Sequence, residues 1–419
     1  MMRAGLLGAA LLAFAAPLVA QEASPELAQG PAEWRPVDAE TGQIRDLEGL
    51  EALAADFPDS GSVRLRLLQA QLGAGDMPAV LVSLGWLKER GYVFSAGARA
   101  QIPQLVGEEF AEAASALILP DAERMEASEL VATVPAAAGL VESVLSFDGR
   151  TSFMVTSITR NGVYLYDESG VWFDFGIGSN DLSGIAADPT TMQIWFSSSN
   201  LDGSQDEDEP FRGLIAADRN MALQTFAAPD GVTLSDLVVG PMGTIYASDP
   251  LAGGVYRLKP DIGVLEALVE PGTFRSPQGL AVSEDGARIY VSDYRYGLAM
   301  IDAGSGAVTR LAADIPVILD GTDALWLHDG ELIAVQNGTS PMRISGFALS
   351  EDGTKVTGAR VIERAHSGWT EPLGGSIAED ALVYISTGRW DAFDQGELIE
   401  GREFEGTEIR RLPLDNFPD

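Results

Sequence analysis

Residues 277–293 read PQGLAVSEDGARIYVSD. A polar start leads into the apolar run Leu280-Ala281-Val282, an Asp285-Gly286 turn follows, and RIYVSD is a second β-rich run. Asp-Gly between two such runs signals a hairpin. The same grammar recurs upstream as ESVLSFDGRTSFMVTSI from Glu142, SGIAADPTTMQIWFSSS from Ser183 and SDLVVGPMGTIYASD from Ser235. Downstream it returns as DGTDALWLHDGELIAVQN from Asp320 and EPLGGSIAEDALVYIST from Glu371. Several units run on into a further strand, such as GVYLYD at Gly162 and GVYRLK at Gly254. The starts lie roughly 40 to 54 residues apart, the length of one four-stranded propeller blade. One blade cannot bury both of its faces alone, so the units are expected to close into a ring. The repeat predicts a mainly β fold, a six-bladed β-propeller over residues 128–419. The late strand TEIRRLPLD, from Thr407, is expected to pair near the start of the ring and close it.

Upstream of the repeat the texture is helical. Leu47, Leu50, Leu53 and Ala54 recur at spacings of three and four, as do Leu65, Leu68 and Leu72 after the Pro58-Asp59-Ser60-Gly61 break. Gly73-Ala74-Gly75-Asp76 separates that run from a helix over 77–90, which Gly91 should stop. Residues 104–116 read as a further helix with Pro103 at its start. The small residues in LLQAQLGAGDMPAVLVSLGWLKERG, residues 67–91, suit tetratricopeptide-like helix pairs, and a generic helical cap fits equally. The small α-helical domain is placed at 46–127. Residues 21–45 are rich in Pro, Gly, Ala and acidic residues and read as a linker.

Residues 1–20 read as a signal peptide: Arg3, an apolar run over 6–19, and Ala20 before Gln21-Glu22. No later stretch is long and apolar enough for a membrane span, so a periplasmic or secreted protein is expected. The chain has 27 basic and 62 acidic residues, a net charge of −35, which disfavours nucleic acid as a partner. The absence of cysteine excludes thiolate metal sites, disulfides and cysteine nucleophiles. With two histidines, His328 and His366, a multi-histidine zinc site is disfavoured, and any metal should be a hard cation on oxygen ligands. No motif for an organic cofactor or a phosphate-binding loop is found.

The segments SPQGLAVSEDGARIYVSDY and LDGTDALWLHDGELIAVQNG resemble the superfamily of senescence marker protein, gluconolactonase and luciferin-regenerating enzyme, with NHL-repeat propellers as relatives. The resemblance covers the whole propeller. It implies a divalent cation, usually Ca2+, at one mouth of the channel. Carried over residue by residue, it implies Glu142 and Asp320 as ligands, with Asp320 also the base that activates water. Gln278 stands where the family has an asparagine, and Leu182 replaces another asparagine ligand.

Read from the residues themselves, the inner-strand starts offer Glu142, Ser183, Asp236, Gln278, Asp320 and Glu371 to one funnel. Carboxylates gathered in a low-dielectric channel repel one another unless a cation, protons or basic groups compensate them. They could instead cap turns. His366, just before Glu371 in RAHSGWTEP, is a candidate proton carrier or a loop histidine bonded to backbone. Trp369, Trp390 and Tyr294 form either a ligand platform or inter-blade core. Two functions follow: a binding module for a small lactone- or sugar-like molecule or a protein, with a degenerate lactonase-type metal site, or a calcium-dependent lactone or ester hydrolase.

Overall fold

The computed structural model describes residues 32–37, 40–167, 169–177, 181–201 and 211–414. The expected signal peptide lies outside the described residues. The chain is mainly β: among the described residues, six sheets of four or five strands follow one another along it, and a two-stranded hairpin, Phe393–Asp394 with Glu397–Leu398, lies apart from them. The first contains Val141–Ser146, Phe153–Ser157, Gly162–Tyr166 and Trp172–Phe175 in up-and-down order. The second contains Asp181–Ala187, Ile194–Ser199, Gly213–Ala217 and Leu223–Ala227, and the third Leu237–Val239, Ile245–Asp249, Gly254–Lys259 and Val264–Val269. The fourth is built on Pro277–Val282, Arg288–Asp293, Gly297–Asp302 and Val308–Arg310. The fifth is built on Ala324–His328, Glu331–Gln336, Arg343–Leu349 and Lys355–Arg364, and Ala312–Ala313 joins its outer edge in parallel. The sixth takes Gly375–Ala378, Ala381–Ile385 and Thr407–Pro413, and its outermost strand is Glu129–Val134 from far upstream.

The innermost strand of each sheet packs against that of the next, and the sixth packs against the first. The result is a propeller-type ring. Its closure is the pairing expected of TEIRRLPLD: Val134 faces Thr407 and Glu129 faces Arg411. The second strands explain the β-rich runs. Phe153–Ser157, Ile245–Asp249 and Ala381–Ile385 are buried at every residue, because both faces of each sheet are covered by neighbouring sheets.

Among the described residues, five α-helices precede the ring: α1 Leu47–Asp56, α2 Gly61–Ala74, α3 Met77–Glu89, α4 Ala96–Leu105 and α5 Glu108–Ala116. Asp46, Ser60, Asp76 and Ser95 each cap one of the first four by accepting a backbone N–H. The helix expected at 104–116 is split differently. Ser95 starts α4 well before Pro103, which is tolerated late in that helix, and Gly107 (φ 81°) breaks the chain before α5. No helix among the described residues is long and apolar enough to cross a membrane.

The helices do not stand apart from the ring. Leu50, Leu53, Phe57, Val63 and Leu67 share one core with Tyr246, Phe274, Ile289 and Tyr296 of the third and fourth sheets. Each such buried side chain contributes about 1.5–3 kcal/mol. Asp59 and Arg310 form an ion pair at 3.3 Å with both side chains buried, and burial pushes the Asp59 carboxyl up to about 6 despite the guanidinium. Residues 32–37, read from composition as linker, are also built in. Ala32–Glu33 pairs with Val308–Arg310, and the Trp34 indole donates to the Thr273 carbonyl at 3.0 Å. Trp34 and Val37 are buried, and that apolar anchorage outweighs the turn-rich composition around them.

Candidate functional site

The innermost strands enclose a channel of about 350 Å3 with residues from all six sheets, among them Ser143, Gly184, Asp236, Gly279, Ala324 and Gly375. Two glycines set its narrow packing. A Cβ on Gly279 would lie 2.5 Å from the Leu325 amide nitrogen, and one on Gly184 would lie 2.6 Å from the Ser235 carbonyl. Both glycines also donate their N–H to the facing strand, Gly279 to Asp323 O at 2.9 Å and Gly184 to Ser235 O at 3.1 Å. The SGI and PQGL motifs therefore mark close backbone approach between sheets.

Four carboxyls converge at the inner-strand starts: Glu142 from the first sheet, Asp236 from the third, Asp323 from the fifth and Glu371 from the sixth. Burial pushes the Glu142 carboxyl well above the usual range, and Asp323, Asp236 and Glu371 add like charge. Asp323 is raised in the same way, first by burial and then by Asp236 and Glu371. Burial takes Asp236 up to about 7. Glu371 is raised by burial and by Asp391. Burial and like charge both favour the protonated form of these carboxyls, which can donate as well as accept hydrogen bonds.

Neutral side chains orient the carboxyls. The Trp390 indole donates to Glu142 Oε2 at 2.7 Å, and the Trp390 backbone bonds the Glu371 carboxyl. Asn337 bonds the Asp323 carboxyl, donates to the Pro372 carbonyl at 3.0 Å and accepts from the Tyr294 hydroxyl at 2.8 Å. Nearby Asp323 and Glu371, after burial, push the Tyr294 phenol up.

Of the residues singled out from sequence, Glu142, Asp236 and Glu371 meet in this cluster. Asp320 sits elsewhere. Its carboxylate accepts from the Gly61 and Ser62 amides, both at 2.7 Å, and from the Ser60 hydroxyl at 3.2 Å, so it holds the start of α2. The channel position three residues on belongs to Asp323. Gln278 is half-buried and its amide donates to Ser276 Oγ at 3.1 Å. His366 Nδ1 accepts from the Gly368 amide at 2.9 Å, the backbone-bonded alternative, and the ring stacks on Trp369. Trp369 belongs to the core between the fifth and sixth sheets and donates to the Tyr384 hydroxyl at 2.9 Å. Asp323, Asn337 and the double role of Trp390 were missed. The signal was present in TDAL and AVQN, where a polar residue abuts an inner or second strand.

The ligand set implied for a divalent cation does not assemble. Among the described residues no group of three or more His, Asp or Glu side chains is placed to hold a metal ion. Leu182 is fully buried and offers no donor, Glu142 is bonded to Trp390, and Asp320 is occupied by α2. No step through a metal is derived.

No family model matches the chain, and no curated protein matches it. Solved structures with similarity to it include a calcium-binding protein, regucalcin, from Agrobacterium tumefaciens strain C58. That match is 16% identical over 71% of this chain and 100% of the other, with TM-score 0.48. A gluconolactonase from Xanthomonas campestris is 14% identical, covering 71% and 99%, with TM-score 0.46. A luciferin-regenerating enzyme is 12% identical, covering 67% and 94%, with TM-score 0.44. The likeness is one of fold. The functional reading rests on this chain's own side chains.

Proposed function

We propose that the chain is an exported, six-bladed propeller with a tetratricopeptide-like cap that binds a small lactone- or sugar-like molecule at its channel. One observation carries this reading: Glu142, Asp236, Asp323 and Glu371 lie near one another at the inner-strand starts, where burial and like charge raise their proton affinities. Carboxyls with raised proton affinity beside Asn337 and Tyr294 offer acceptors and, when protonated, donors for hydroxyls and ring carbonyls. Indole and amide bonds fix those groups before the ligand arrives, which lowers the ordering cost of binding.

A second reading, a lactone or ester hydrolase, is favoured by Asp323. Its carboxyl is raised, and Asn337, itself fixed by Tyr294 and Pro372, orients it. With Asp323 ionised, a water beside it would pass its proton to the carboxylate while its oxygen adds to the carbonyl carbon; the tetrahedral adduct then collapses with cleavage of the ring C–O bond, and Asp323 returns the proton to the departing ring oxygen. Calorimetric titration with a sugar lactone, with and without Ca2+, separates the readings. Binding without turnover, lost in Asp323→Asn, is expected. Turnover that needs Ca2+ and vanishes in Asp323→Asn would establish the hydrolase instead.

A further inference from the structure

The cleft between α1–α2 and the fourth sheet holds about 860 Å3, larger than the channel itself. Arg45, Arg66 and Gln69 line its helical side, and Arg275, Arg295 and Tyr296 line the propeller side. Four arginines lining one cleft reverse the local sign in a chain of net charge −35, and the Arg295 guanidinium lies over the Tyr294 ring, 5.9 Å from its centroid. Among the described residues, none of the four has a carboxylate within 4.0 Å.

Their surroundings orient them without neutralising them. Arg66 Nη2 donates to the Thr41 and Ile44 carbonyls at 3.1 and 2.9 Å, and its Nη1 lies 3.4 Å from the Tyr296 hydroxyl. Arg45 Nη1 donates to the Gly42 and Ile44 carbonyls at 2.8 and 2.9 Å. On the other wall, buried Asp293 accepts from the backbone amides of Arg275, Ser276, Arg295 and Tyr296 at 2.6 to 3.3 Å. One carboxylate thus pins both arginine-bearing segments, and its oxygens are turned to backbone rather than to the guanidinium groups. The other nearby acids are also engaged: Asp46 caps α1, Asp56 pairs with Arg35 at 2.6 Å, and Asp320 caps α2.

Planar guanidinium forks match carboxylate and phosphate oxygens two at a time. We propose that this cleft binds a small organic anion bearing at least two carboxylate or phosphate groups, with Gln69 as a neutral donor. The cleft is separate from the carboxyl cluster but adjoins it, since Arg295 follows Tyr294 and Gly338 follows Asn337.

Calorimetry of the full chain at low salt, with citrate and with inorganic pyrophosphate as probes, tests this. One-to-one binding of at least one probe is expected, weakened by added salt. The better probe distinguishes carboxylate from phosphate recognition. The double variant Arg275→Gln/Arg295→Gln should bind at least about tenfold more weakly, because each guanidinium supplies charge-assisted bonds. Arg45→Gln, at the exposed rim, gives a second reading should the double variant be unstable. Arg150→Gln, on the first sheet, and Asp323→Asn, in the channel, should bind the probe as the parent does, which keeps this result independent of the channel reading. The proposal is overturned if neither probe binds at millimolar concentration, if the cleft variants bind undiminished, or if only an acidic polypeptide binds.

Discussion

Replacing Asp320 with alanine separates its two possible roles, in holding α2 and in serving the channel. In the structure this carboxylate accepts two amide N–H bonds at 2.7 Å and one hydroxyl bond at 3.2 Å, all from residues 60–62. Removing it leaves the first turn of α2 without its acceptor at a buried junction. Each bond to a charged group is worth about 1.5–3 kcal/mol, against which stands the cost of burying the carboxylate. That cost is visible: burial raises the Asp320 carboxyl even though all three donors pull it down. The net loss expected for Asp320→Ala is about 2–4 kcal/mol, with Asp320→Asn losing about half because the amide keeps one acceptor. Urea denaturation reads the difference. Helical docking should loosen with it, raising hydrogen exchange across α1 and α2 while the sixth sheet stays protected. Asp323→Ala should behave in the opposite manner, with stability unchanged or improved, because it relieves like-charge repulsion in the channel. Unchanged stability in Asp320→Ala together with lost lactone or cation binding would refute this reasoning and return Asp320 to the channel.

Three further outcomes are expected. The raised channel carboxyls bind protons more readily folded than unfolded, so their contribution to stability is fullest at low pH. It is lost as pH rises from about 4, and for Asp236 the loss runs to its folded value of about 7. Asp236→Asn should flatten that part of a stability-against-pH curve by on the order of a few kcal/mol, and a curve identical to the parent's would rule out the cluster as its origin. Gly279→Ala places a methyl 2.5 Å from Leu325 N and 2.7 Å from Ala324 Cα, both backbone atoms. It should cost about 1–3 kcal/mol in chemical denaturation. Tyr384→Phe removes the hydroxyl that accepts from Trp369 and donates to Glu363 at 2.6 Å, and should cost about 1–2 kcal/mol without changing ligand affinity in calorimetry.

The ring was legible because its physics is periodic. Each unit repeats an inner strand, a turn and a largely buried second strand, and alternation with Asp-Gly punctuation survives in the letters from Glu142 to Glu371. The docking of residues 32–37 was not legible, because Trp34 and Val37 are isolated apolar residues and their propeller partners, Thr273 and Phe274, lie more than two hundred positions away. The site was half legible. Glu142, Asp236 and Glu371 follow from position in the repeat. Asp320 and Asp323 compete for the same position within three residues, and only the path of α2 decides between them: its N-terminus needs an acceptor where Asp320 stands. His366 and Trp369 looked close to the channel because they precede Glu371. In the structure they belong to the seam between the fifth and sixth sheets.

That seam explains why a buried acid can lie so near the site without sharing its chemistry. Glu363 is fully buried and accepts from the Ala127 and Ser128 amides, both at 2.9 Å, the Ser128 hydroxyl at 2.8 Å and the Tyr384 hydroxyl at 2.6 Å. Ser128 directly precedes Glu129–Val134, the strand that completes the sixth sheet, and Arg410 from the neighbouring strand donates to the Ser128 hydroxyl and carbonyl. One carboxylate with four donors thus fixes where the chain leaves the helices and enters the ring. A buried charge is tolerated when its acceptor capacity is filled and is costly when it is not. Glu363 and Asp320 are of the filled kind, each spent on joining the helical segment to the ring. The four channel carboxyls are the contrasting case, with fewer donors than oxygens and each other for neighbours. That residual demand for donors marks the channel, rather than the seam, as the place where a ligand is needed.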